Sequence, residues 1–337
     1  FYMKKINTLP FSLNSFIKKI YPDTFSFYRY LVLRGLANSK IISQYSYRAW
    51  PFWISKQINA NYNTSLADPN LFGIYNNKYR NWTYLSDTKT QDSVLVDPAG
   101  LIYVSGKPFS VDFWISNSNS LCVPSTKKDV VQTYNPNLGT VTTSFSLSQL
   151  KITSDVFFAK MPEKLNFAYC NNKITNTTQK NIKFSFYVAI RPFDLEGVTK
   201  VKQIQYLQSQ SFIVNNQLAV IFDQKPDNIV CLSHKEGDVG EHFNQLEMIF
   251  NAKCAHHQAS AFVEYQCIIP PKKSLSFSFK IPCSTYKFYS KSPIYLSQKQ
   301  KLNNMLKTLN TFSYHDTNKQ ISFYKSSLKH SAFSYSL

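Results

Sequence analysis

From about residue 80 to 283 the chain is a succession of short apolar runs, each closed by a turn signal. SVLV, LIYV, FSVDFWI, TVTTSFSL, KITSDVFFA, LNFAYC, IKFSFYVAI, SFIV, LAVIF, NIVCLS, ASAFVEYQCII and SLSFSFKI are all rich in β-branched or aromatic residues, the composition of strands. Several alternate with period two. In SLSFSFKI, Leu275, Phe277, Phe279 and Ile281 point to one face and the serines to the other. SFIVNNQLAVIF reads as a hairpin, with Asn215-Asn216 able to take positive φ at its turn. No helical stretch of about ten residues or more separates these runs, which argues against parallel β-α-β units. The pattern predicts a mainly β chain, a large antiparallel sandwich of about twelve or more strands.

The two ends carry a different period. Tyr28, Leu31, Val32, Gly35 and Leu36 fall on one helical face, and the aromatic segment YSYRAWPFW follows, interrupted at Pro51. After Pro293, Leu296, Leu302, Met305, Leu306 and Leu309 form an apolar helical stripe, and 319–335 begins another. The expected division is therefore an N-terminal helical and aromatic extension over 1–60, a β-sandwich over 61–290, and C-terminal helices over 291–337. These last helices read either as two caps packed on the sandwich or as a linker and the start of a truncated helical domain. The chain opens on Phe1 and stops within a helical pattern, which makes a fragment the expectation.

Composition narrows the function classes. The net charge of +19 points to an anionic partner in principle. Its carriers, however, are lysines spread along the whole chain without a block of like charge, so nucleic-acid binding is not expected. Nor is a membrane: no apolar stretch reaches the length of about 18 residues that spans a bilayer. The N-terminus lacks the features of a secretory leader, and the six cysteines lack framework spacing, so free thiols in the cytoplasm are expected. With only eight glycines there is no GxGxxG, P-loop or GxSxG, and no cofactor is expected.

Three groups of residues could carry chemistry. In HKEGDVGEH, with Cys231, Cys254, His256 and His257 nearby in sequence, Cys231-x-x-His234 and Cys254-x-His256 have metal-like spacing. Cys231 belongs to an alternating strand, though, and Gly237 and Gly240 mark an ordinary loop, so no metal is expected. In YVAIRPFDLEGV, Asp194 and Glu196 would lie about 7 Å apart on one face if the strand continued, a tempting spacing for an acid/base pair. Carboxyls doing that work must flank the scissile bond, which neighbours on one strand do not. Pro192 and Gly197 instead mark a corner, with Arg191 poised to hold Asp194 or Glu196. The tryptophans Trp50, Trp53, Trp82 and Trp114 suit either sugar faces or a sandwich core.

AWPFW (49–53), RNWT (80–83), VDPAGL (96–101), SVDFW (110–114) and AIRPFDLEGV (189–198) occur in an order and at spacings that resemble a bacterial family of glucosidase-like proteins. In that family, as in glycogen-debranching enzymes and glucoamylase-type hydrolases, a β-supersandwich precedes an (α/α)6 toroid. The resemblance, over roughly 45–335, implies an accessory sandwich whose catalytic carboxylates belong to a toroid beyond this chain, its intramolecular partner. It also implies carbohydrate as a possible ligand, and no catalytic residue within the chain. Trp50, Trp53, Arg80, Trp82, Asp112, Trp114, Arg191, Asp194 and Glu196 become candidates for sugar contact or for the domain interface. One departure stands out: the family pattern implies arginine where this chain has Ala99. A free-standing sugar-binding or structural β-protein is the alternative.

Overall fold

The computed structural model describes residues 82–283, apart from 87–89, 118–119, 128, 137, 161–165 and 196. The expected helices at both ends, with Trp50, Trp53, Arg80 and Glu196, lie outside the described residues. Within them the chain is mainly β, without an α-helix. It also holds no helix long and apolar enough to cross a membrane, which says nothing of a β-barrel.

Every run read as a strand from its pattern is one. They are β2 (Ser93–Val96), β3 (Ile102–Val104), β4 (Ser110–Asn117), β7 (Thr140–Leu147), β8 (Leu150–Lys160), β9 (Asn166–Asn176), β10 (Ile182–Arg191), β14 (Ser211–Val214), β15 (Gln217–Phe222), β16 (Asn228–Leu232), β18 (Ser260–Ile269) and β19 (Ser274–Pro282). The others are short or polar: β1 (Thr83–Ser86), β5 (Ser120–Cys122), β6 (Val131–Asn135), β11 (Phe193–Asp194), β12 (Gly197–Val198), β13 (Gln203–Leu207) and β17 (Asn251–Lys253). Segments such as VQTYN and NAK carry little apolar content, and their strand state comes from the ladders they join.

Two antiparallel sheets result. The first runs β1-β2-β3-β4-β10-β18-β16, with β5 attached to β4; the second runs β17-β13-β14-β15-β19-β9-β8-β7-β6. One core joins them: Phe113, Phe186 and Val263 from the first sheet meet Phe145, Val156, Phe277 and Ile281 from the second. Phe186 stacks on Phe277 with ring centroids 4.8 Å apart. Aromatic pairs of this kind add about 0.5–1.5 kcal/mol beyond area burial. The hairpin turn between β14 and β15 has Asn215 at φ 47° and Asn216 at φ 63°, the conformation expected for the pair.

The sheets differ in a way that the alternation encodes. β7 alternates between buried and more exposed positions, and β6 between half-buried and exposed ones, the mark of a sheet with one open face. β2 and β16 are buried at every position, because the first sheet is covered on both faces. Toward β1, Trp82, Leu101, Phe193 and Val198 close over Leu95 and Tyr103. Toward β16, Val123, Val239 and Phe243 close over Trp114, Tyr187, Val230 and Phe262.

Between β2 and β3 the chain turns through Asp97-Pro98-Ala99-Gly100. Gly100 sits at φ 95°, and a Cβ there would come within 2.9 Å of the Phe113 ring. Replacing it combines backbone strain with overpacking against a core ring. Gly100→Ala is expected to cost about 2–4 kcal/mol, read as a lowered midpoint in denaturant unfolding of the full chain.

Candidate functional site

On the outer face of the first sheet, β4 and β10 lie side by side with Tyr187 opposite Trp114, Ala189 opposite Asp112 and Arg191 opposite Ser110. Because side chains alternate along a strand, Asp112, Trp114, Tyr187 and Arg191 all project from this one face. They form a polar seam between its two apolar patches.

Arg191 is the centre of that seam. It is fully buried, and its Nη2 donates to Asp238 Oδ2 at 3.1 Å. The guanidinium lies 4.7 Å from the Phe193 ring centroid and 5.6 Å from that of Trp114. Two aromatic rings and a carboxylate suit a planar, weakly hydrated cation better than they suit a lysine. Asp238 in turn accepts the Gly240 amide at Oδ1, capping the 3-10 turn Val239–Glu241. A single carboxylate thus ties Arg191 to the segment that covers the sheet.

Other bonds hold the same segment. The Tyr187 hydroxyl donates to the Phe243 carbonyl oxygen at 2.8 Å and lies 3.1 Å from Glu264 Oε1. Asn228 Nδ2 donates to the Gln245 carbonyl oxygen at 2.6 Å. The Ile249 amide donates to Ile229, and its carbonyl accepts from Cys231. Residues 234–249 are therefore a strap, fastened to β10 and β16 from one end to the other.

Asp112 lies in the seam, and Asp97 in the β2–β3 turn lies near enough to Asp112 to feel its charge. Asp112 accepts the Trp114 indole N–H at Oδ2 and the Phe113 amide at Oδ1, both at 2.9 Å. Burial pushes its carboxyl up to about 6, with Trp114 and the nearby Arg191 charge pulling the other way. Asp97 accepts the Ala99 and Leu101 amides at Oδ1, at 2.8 and 2.9 Å. Its Oδ2 is buried and has no hydrogen-bond partner among the described residues. Burial first, and then the Asp112 charge, raise the Asp97 carboxyl to about 7.

The phrase 187–198 resolves into a corner. β10 ends at Arg191, and Phe193 and Asp194 pair with Val198 and Gly197 in a two-residue ladder. Asp194 is half-buried there. One carboxylate that pairs with Arg191, Asp238, lies 47 residues downstream and was not legible from the local phrase. Its sequence signal is weak: an aspartate two residues before a glycine, able to cap a turn. Asp97 shows a similar signal, an aspartate opening a Pro-Gly turn.

Trp82 and Trp114 are buried, at 4% and 0% exposure, so neither offers a ring face to solvent. Asp112 is buried beside Trp114. Around HKEGDVGEH, Cys231 faces the inter-sheet core, and the Cys254 sulfur accepts the His234 amide at 3.4 Å. Among the described residues no group of three or more histidine, cysteine or acidic side chains is placed to hold a metal. All six cysteines are free thiols, as their spacing led us to expect.

A second buried charge lies in the other sheet. Lys280 is ion-paired with Asp223, and its ammonium is 5.6 Å from the centroid of the Tyr169 ring. Burial lowers the Lys280 amine while Asp223 pulls it back up. Lysine is the one charge in SLSFSFKI, in line with Ser274, Ser276 and Ser278 in the alternation. Its partner was not legible.

No family model matches the chain, and no curated protein does. Among solved structures, a putative kojibiose phosphorylase from human microbiome is similar in shape, with 12% identity and a TM-score of 0.42. The match covers 73% of this chain and 31% of that one, so the chain spans less than a third of that protein's length.

Breaking the seam pair is expected to be expensive, because either partner alone is left as a desolvated charge. Arg191→Met and Asp238→Asn should each cost about 3–5 kcal/mol in denaturant unfolding, and the double variant clearly less than the sum. Additive losses would show that the two groups do not act as a pair.

Proposed function

We propose that this chain is a β-sandwich unit of a carbohydrate-active, glucosidase-like protein. It serves as the accessory frame for a helical catalytic domain of the same polypeptide. The observation that carries this reading is the convergence of VDPAGL, SVDFW and AIRPFDLEGV. SVDFW and AIRPFDLEGV, far apart in sequence, supply Asp112, Trp114 and Arg191 to one seam, and VDPAGL brings Asp97 near Asp112. Phrases that share a buried unit travel together for a structural reason, which supports treating their joint resemblance to the glucosidase-like family as more than three coincidences.

The burial of these side chains supports the accessory role. A catalytic carboxyl must reach a glycosidic bond, and one that works as acid or base is placed within hydrogen-bond distance of the substrate. Asp97 and Asp112 are enclosed by their own turn and by Trp114. Trp82 and Trp114 likewise act as packing for the frame, and the covered face of the first sheet gives it rigidity. The carbohydrate class, the helical domain and the cytoplasmic setting belong to the proposal and rest on the resemblance and on the free thiols.

Two measurements test it. The chain of residues 1–337 alone should neither hydrolyse nor phosphorolyse α-linked glucosides. Reading the gene beyond Leu337 should give further helical sequence rich in Trp, Asp and Glu. Turnover by this chain alone, or a stop codon directly after Leu337, would overturn the reading.

A further inference from the structure

Large apolar side chains exposed to solvent gather at one place among the described residues. Leu246, Met248 and Phe250, alternate positions where the strap runs into β17, are 90%, 46% and 47% exposed. Ile249, between the last two, is held to β16: its amide donates to Ile229 and its carbonyl accepts from Cys231. The Phe250 carbonyl accepts the Tyr206 amide, so the segment passes from the edge of one sheet to the edge of the other. The stripe thus lies on the rim of the sandwich, fixed by backbone bonds on both sides. Clustered apolar exposure of this kind marks an interaction site.

Its charge is opposite to that of the chain. Glu236, Glu241 and Glu247 are exposed along the strap, against one lysine, Lys235. Lys253 alternates onto the face of β17 opposite Phe250 and Ala252. In a chain of net charge +19 this is an acidic, apolar rim. Two such rims paired about a twofold axis would set glutamates against glutamates, which disfavours a second copy as the occupant.

Topology points to a different one. Phe250, Tyr206, Phe212 and Val220 are neighbours in one row across β17, β13, β14 and β15, and the next strand, β19, ends beside it. β19 is four strands from β17, about 19 Å at ~4.8 Å per strand. After β19, residues 284–315 carry five lysines, no aspartate and no glutamate, together with the apolar stripe Leu302, Met305, Leu306 and Leu309. The 19 residues from Cys283 to Leu302 can span about 60 Å, more than the distance requires. The segment before residue 82 is also basic, but it meets the first sheet at β1, the edge farthest from β16.

We propose that residues 294–312 dock on this rim. Their leucine and methionine stripe covers Leu246, Met248 and Phe250, and their lysines face the glutamates of the strap. Docking removes apolar surface from water, and the opposite charges set its orientation. The contact involves the sandwich and this segment alone, so it stands or falls separately from the carbohydrate reading.

Photo-crosslinking of the full chain tests it, with benzoylphenylalanine replacing Met248 and the products mapped by mass spectrometry. Crosslinks should fall within 294–312 of the same chain. Leu306→Asp should lower their yield at least about tenfold, a factor that corresponds to about 1.4 kcal/mol. Glu247→Lys should lower it as well, and because Glu247 is exposed its replacement leaves the sandwich intact. Crosslinks confined to residues 1–81, or a dimer-sized product, would overturn the proposal. So would a yield no higher than that of the same label at Lys272, which is exposed in the turn before β19.

Discussion

A guanidinium without water must be given everything that water supplied. Arg191 has no exposed surface, and its neighbours supply part of what water would have given it. Trp114 and Phe193 flank it, Asp238 neutralises it, and the backbone turns sharply just beyond it at Pro192. Because Asp238 belongs to the strap, satisfying this one side chain also fastens the cover over half of the first sheet. Because Phe193 belongs to the corner, the same demand draws the second apolar patch alongside. Packing of Val239 and Phe243 then supplies the stabilisation that a buried ion pair alone does not.

The architecture was legible in the chain to an unusual depth, and for a physical reason. Alternation in SLSFSFKI and TVTTSFSL, and continuous apolar runs in SVLV and NIVCL, report how many faces of a sheet are covered. Strand runs were therefore readable one by one, as was the Asn215-Asn216 turn. The strands that escaped notice, such as β6, β13 and β17, pair at or near the edge of the second sheet. There, a partner's free backbone groups rather than apolar side chains create the strand, and pattern reading has little to hold.

The site was legible only in part. Asp112, Trp114 and Arg191 were singled out from their phrases, and all three meet in the seam. Asp238 was not, because a pair formed across 47 residues leaves no local trace, and Asp97 shows only the ordinary signal of a turn-opening aspartate. Trp82 and Trp114 could be read equally as sugar platforms or as core, and composition cannot separate the two, since both uses need the same flat apolar surface. Their environment separates them: each ring is enclosed, Trp82 by Tyr103 and Phe193, Trp114 by Tyr187 and Phe262.

The central claim is that the planar fork of Arg191, and not merely its charge, holds the strap on the sheet. Limited proteolysis of Arg191→Lys tests this directly, since lysine keeps the charge but cannot bond Asp238 while lying between two rings. The account predicts cleavage within 234–249 while the β-sandwich core resists digestion. A strap that stays uncut, at the wild-type rate, would contradict it.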